Sequence, residues 1–156
     1  MDEFVKFLVD QFLSYQSDWL SCSLKKVKFI SDMGKGSVRR GFEWLVKIGL
    51  GYYLLKNQRS LRIEEIKVDQ QCGKVRPDIL FIRKEETVVM ELKTVGSLQE
   101  ERTWEDIGKN FPPGCIAYFL IFSYPGENEA VPPDGIVSVH SGSVGEGFKF
   151  YLYRKP

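Results

Sequence analysis

The spacing of apolar residues changes period several times along the chain, and each change marks a predicted element. Phe4, Val5, Leu8, Val9, Phe12 and Leu13 recur at helical steps with Asp2, Lys6, Asp10 and Gln11 between them, predicting an amphipathic helix over residues 2 to 20. Its apolar stripe needs a partner surface. Covering one face of a sheet is the simpler use; docking on a second subunit, giving a homodimer, is the other. Turn formers crowd residues 31 to 37, and Ser37 is placed to cap a second helix over residues 38 to 56. That helix is apolar except for Arg39, Arg40, Glu43 and Lys47, which share one stripe, so it is expected to be largely buried with one polar edge. Gly41, Gly49 and Gly51 each lower its helicity by about 1 kcal/mol relative to alanine, which points to close packing against another backbone.

Beyond residue 60 the period drops to two. Residues 61 to 68 predict a first strand, with Glu64-Glu65 suggesting a bulge, and residues 69 to 76 form a polar loop. Two β-branched and aliphatic runs, 79 to 83 and 87 to 92, flank Lys84-Glu85-Glu86 and predict a hairpin. Residues 97 to 110 read as a helix, with Ser97 and Glu100 at capping-box spacing and Phe111-Pro112-Pro113-Gly114 as its stop. The run from 115 to 124 is continuously apolar, as a strand buried on both faces would be. A last hairpin pairs residues 135 to 140 with 148 to 153 across a loop from 141 to 147. No repeat or low-complexity tract interrupts this series.

At 156 residues and 43% hydrophobic content, the whole chain, 1 to 156, is expected to be one domain. The formal net charge is +1, so nothing global demands a polyanionic partner. Local clustering exists, because Lys25, Lys26, Lys28, Lys35, Arg39 and Arg40 crowd one segment opposed only by Asp32. Such a cluster is either a solvated loop and helix start or a phosphate-contacting patch. Cys22, Cys72 and Cys115 are odd in number and widely spaced, which indicates neither a disulfide framework nor a zinc site. With no basic-then-apolar leader and no apolar run near about 18 residues, the chain is expected to be soluble, unprocessed, cytoplasmic and without a membrane partner.

Chemistry concentrates in the predicted 79 to 92 hairpin. Side chains alternate across a strand, so Glu91 and Lys93 share one face while Met90 and Leu92 take the other. A turn of even length centred between Glu85 and Glu86 would set Asp78 opposite Lys93 and diagonal to Glu91, on their face. Diagonal neighbours lie about 7 to 8 Å apart, a gap that one cation can bridge through two carboxylates. A turn of odd length would send Asp78 to the other face.

The residues Pro77-Asp78 followed by Glu91-x-Lys93 resemble the signature of the PD-(D/E)xK nuclease superfamily. That family's restriction-endonuclease-like fold runs helix, three antiparallel strands, helix, strand, an order in which residues 37 to 124 can be read. The resemblance implies an α/β (α+β) fold: an αβββαβ core with a central mixed sheet flanked by helices, here extended by an N-terminal helix and a C-terminal β-hairpin. It implies a metal-dependent DNA nuclease. Asp78 and Glu91 would hold Mg²⁺ or Mn²⁺ with the Leu92 carbonyl, Lys93 would orient the attacking water, and Glu43 would be an extra acidic ligand from the preceding helix. Hard oxygen donors select such cations. Glu43 also has Arg39, Arg40 and Lys47 at helical spacing, so an ion-pair ladder would explain it without metal. DNA would be the partner, with Lys35, Arg39, Arg40 and Lys109 as phosphate contacts, although Lys109 sits on an acidic helix. Lys35-Gly36 is similar to the start of the first helix in archaeal Holliday-junction resolvases, but Glu43 falls about one helical turn later than their acidic residue. That leaves three alternatives: a DNA nuclease, working alone or within a larger nuclease assembly; a structure-specific resolvase; and a catalytically silent binding or scaffold domain of the same fold. Trp104 is expected in the core, and His140, the sole histidine, in a structural or exposed role.

Overall fold

The structure is a computed structural model that describes residues 1–15, 37–94, 104, 111–123, 126, 129, 131–144 and 147–156, with side chains of the second helix from Glu43 onward. It is a mixed α+β fold. Helix α1 covers residues 2 to 15, and α2 runs Ser37–Leu61. The strands are β1 (Glu65–Val68), β2 (Ile79–Arg83), β3 (Glu86–Thr94), β4 (Ile116–Ser123), β5 (Val137–Val144) and β6 (Phe148–Lys155). They form one six-stranded sheet ordered β1-β2-β3-β4-β6-β5, in which β3 and β4 are parallel and every other neighbouring pair is antiparallel.

The apolar stripe of α1 is used inside the domain. Val5, Leu8, Val9, Phe12 and Leu13 join Val46, Leu50 and Leu54 of α2 over one sheet face made by Met90, Leu92, Tyr118, Leu120, Phe122, Phe150 and Leu152. Polar ties fix the same helix: Tyr118 donates its hydroxyl to Asp2 at 2.6 Å, and His140 Nε2 pairs with Asp10 Oδ1 at 2.6 Å. His140 therefore has the structural role expected of it. The opposite sheet face buries Phe119, Ile121, Tyr151 and Tyr153 under Trp104 and Phe111. Trp104, partly buried, packs edge-on to Phe119 at 5.3 Å and to Tyr153 at 5.9 Å, against this cluster. No described helix is long and apolar enough to cross a membrane.

Five expectations need correction. Helix α2 continues to Leu61, and the first strand begins only at Glu65. The helix stops where Arg62 takes the left-handed conformation at φ 53°, with Arg62 N donating to Arg59 O and Ile63 N to Gln58 O. This is a Schellman cap built without glycine, so the usual C-terminal signal is missing from the sequence. The β1–β2 register is continuous from Glu65 to Val68, so Glu64-Glu65 makes no bulge. The irregularity of this sheet lies instead between Ser138 and His140. In the last hairpin, Ser141 to Val144 belong to the strand, which shortens the connecting loop. Finally, α2 is not largely buried, because Trp44, Leu45, Ile48, Tyr52 and Leu55 are exposed. Close packing holds at Gly51, where an added Cβ would meet a Val68 methyl at 2.6 Å, a side chain rather than a backbone. The helix expected over 97 to 110 lies outside the described residues apart from Trp104, which is helical.

Candidate active site

The hairpin turn decides how the acidic residues meet. Ile79 pairs with Met90 and Arg83 with Glu86, so the turn consists of Lys84 and Glu85 alone. Both residues have positive φ, 51° and 63°, the conformation a two-residue type I′ turn requires. The turn is centred one residue earlier than Lys84-Glu85-Glu86 suggested. Its length is still even, so parity survives, and Asp78 stays on the face of Glu91 and Lys93. The correction is that Asp78 lies directly opposite Glu91 instead of opposite Lys93.

Two hydrogen bonds lock this pair. The Asp78 N–H donates to Glu91 Oε1 at 3.2 Å, and the Leu92 N–H donates to Asp78 Oδ2 at 2.9 Å. The N–H and C=O of one strand residue project to the same side, so the Leu92 carbonyl shares the edge on which Asp78 sits. Glu91 is 3% exposed. Burial first, and then the negative charge of Asp78, push the Glu91 carboxyl up to about 8, against a pull downward from Lys93. Burial and a neighbouring carboxylate both disfavour the charged form of an acid.

Lys47 occupies the other oxygen of Asp78. Its Nζ lies 3.0 Å from Asp78 Oδ1 and 3.2 Å from Asp69 Oδ1, with the lysine almost fully buried. Burial pulls the Lys47 ammonium down, but the two aspartates outweigh it and its pKa ends above the ordinary value. Asp69 is held in turn by Arg76 Nη2 at 3.0 Å and by its own N–H donating to Asp78 O at 2.9 Å. Neither Lys47 nor Asp69 was singled out for the site from sequence. Lys47 looked like the i+4 partner of Glu43, and Asp69 like the first residue of a loop; the signal for both is contact between elements far apart in the chain.

Glu43, one helical turn before Lys47, reaches β3. Its Oε1 accepts the Thr94 N–H at 2.8 Å and the Thr94 hydroxyl at 3.2 Å, and its Oε2 lies 4.0 Å from Lys93 Nζ. The Lys47 end of the expected ion-pair ladder pairs with Asp78 and Asp69 instead, while Glu43 brackets α2 to the end of β3; the Arg39 and Arg40 end lies outside the described side chains. Four of the expected residues, Asp78, Glu91, Lys93 and Glu43, are brought together with the Leu92 backbone. Lys35 and Lys109 lie outside the described residues, as do the side chains of Arg39 and Arg40.

Compared with known proteins, the chain matches no family model, no curated protein and no solved structure. Chemical inference therefore rests on the site itself. Among the described residues no group of three or more His, Cys, Asp or Glu side chains is arranged to hold a metal ion. The donors on hand are two carboxylates and a main-chain carbonyl, a hard-oxygen set of the kind that partly hydrated Mg²⁺ accepts.

Proposed function

We propose that this chain is a divalent-cation-dependent nuclease that hydrolyses phosphodiester bonds in DNA, with a restriction-endonuclease-like core. The observation that carries the proposal is the Asp78–Glu91 pair, set face to face across β2 and β3 with Lys93 one step along the same face. The strand order supports it: three antiparallel strands follow α2, and β4 runs parallel to the third. Asp78, Glu91 and the Leu92 carbonyl would hold Mg²⁺ or Mn²⁺. When bound, such a cation polarises the phosphodiester and makes water a better acid. Lys93, a compact point charge, then orients the attacking water and offsets charge developing on the phosphate. Glu43, 4.0 Å from that ammonium, steadies it while holding the end of β3 through Thr94. Resolvase-type selectivity for branched DNA has no support from the described residues, because Lys35-Gly36 lies outside them.

A second reading has its own observation. Lys47 already neutralises Asp78, and a domain whose acids are paired internally can keep the fold without the chemistry. Cleavage assays separate the two. Supercoiled plasmid, single-stranded DNA and a four-way junction are incubated with Mg²⁺ or Mn²⁺ and either wild type or Lys93→Ala. Metal-dependent cutting of at least one substrate by wild type, lowered by about 10²-fold or more in Lys93→Ala, is the expected result. No cutting by a folded wild type favours the silent domain, and equal cutting by both proteins contradicts the role given to Lys93.

A further inference from the structure

The outward side of α2 is apolar where a lone domain would be polar. Trp44, Leu45, Ile48, Tyr52 and Leu55 are 53%, 39%, 44%, 64% and 55% exposed. Trp44, Ile48, Tyr52 and Leu55 fall within about 80° of the helix circumference, and the stripe extends about 17 Å along the axis. Single exposed apolar residues are ordinary, but a continuous stripe of this length marks a surface that another surface covers. Near its C-terminal end the stripe meets a cleft of about 200 Å³ between α1 and α2, lined by Gln11, Tyr15, Tyr52, Tyr53, Lys56 and Asn57. None of those residues belongs to the carboxylate cluster.

We propose that this face of α2 is the contact between two copies of the chain. Area is the first argument. With its two aromatics more than half exposed, and with flanking Leu45 counted, the face offers at most roughly 500 Å² of largely apolar surface, so two copies bury up to about 1,000 Å², the scale at which a specific interface begins. Symmetry is the second. A patch on a two-fold axis needs no complement elsewhere on the molecule, and the five apolar residues of the stripe carry no charge that would repel its own image. Helices packed face to face sit about 8 to 10 Å apart, close enough for Ile48 and Tyr52 of each copy to interdigitate, and the cleft gives a large side chain from the second copy a place to insert. The N-terminal helix, the other source of an apolar stripe, has that stripe buried within its own domain. Because Trp44 adjoins Glu43, the contact would also bring the two carboxylate sites to either side of one helix pair. The dimer does not depend on the nuclease proposal.

Sedimentation equilibrium over a concentration series tests it, with wild type, Ile48→Asp/Leu55→Asp and Trp44→Ser compared. Wild type is expected at twice the 18.0 kDa protomer mass. Each variant should keep the wild-type circular dichroism, being altered only at exposed positions, and should raise the dimer dissociation constant at least tenfold. A wild type that stays monomeric overturns the proposal, whether the stripe is then covered by another part of the chain or binds phospholipid vesicles added as a probe. A dimer indifferent to both variants overturns it equally.

Discussion

Glu91 carries the most unusual chemistry of any single residue in the site. Its carboxyl is pushed up to about 8 from an ordinary value of 4.5, by burial and by Asp78. A raised acid means that the folded, metal-free protein holds that proton more tightly than the unfolded chain does. The stabilisation is complete below about 4.5 and is lost as pH climbs through about 8. Glu91→Gln keeps the shape and stays neutral, so the slope should vanish. In chelator, wild type and Glu91→Gln are expected to unfold at similar denaturant concentrations near pH 4.5, with the variant more stable at pH 8.5; parallel curves at both pH values would contradict the assignment. The residue types of the site were legible in the chain, because charges within an aliphatic strand are poorly explained by packing. Lys47 and Asp69 were not legible as site residues. Helical spacing offered Lys47 a partner in Glu43, whereas the bonds that form run to residues 22 and 31 positions away, which periodicity along one helix does not encode.

Among the elements, the β2–β3 hairpin shows how a local choice fixes a long-range result. The sequence marked the strands and their parity, but the turn residues Lys84 and Glu85 lack the Asn-Gly signature of a two-residue turn, and the centre was misplaced by one position. The left-handed conformation costs a non-glycine residue about 1 kcal/mol, so this turn keeps its geometry against local preference. Replacing Lys84→Asn with Glu85→Gly is expected to raise stability by about 1 kcal/mol in chemical denaturation and to leave the site unchanged. No gain, or a loss, would mean that the turn side chains contribute contacts of their own. The end of α2 was missed for a related reason: its left-handed cap is Arg62, where glycine would have announced it. The same helix has an apolar composition that reads as core. Only the Val46, Leu50 and Leu54 side meets the sheet, and the opposite side is left as a stripe.

At the scale of the whole molecule, alternation along β3 divides the labour of the two sheet faces. Met90 and Leu92 point into the larger core under both helices, while Glu91 and Lys93 point to the other face, beside Phe119 and Ile121 of the parallel neighbour. Glu91 is buried on that face, and α2 adds Glu43 at the end of β3 and Lys47 at Asp78 and Asp69. The elements through β4 and the β2–β3 hairpin follow from the hydrophobic pattern, and a mixed sheet flanked by helices is what the family resemblance implies; the meeting of α2 with β1 and β2 required the folded chain. Everything proposed for this site depends on one property, that Asp78 and Glu91 together take up a divalent cation in spite of the ammonium already beside them. Calorimetric titration of Mn²⁺ into wild type and Asp78→Ala measures it directly. Saturable binding near one ion per chain in wild type, abolished in Asp78→Ala, is the expected result, and a folded wild type that takes up no Mn²⁺, or a variant that binds it equally well, would contradict it.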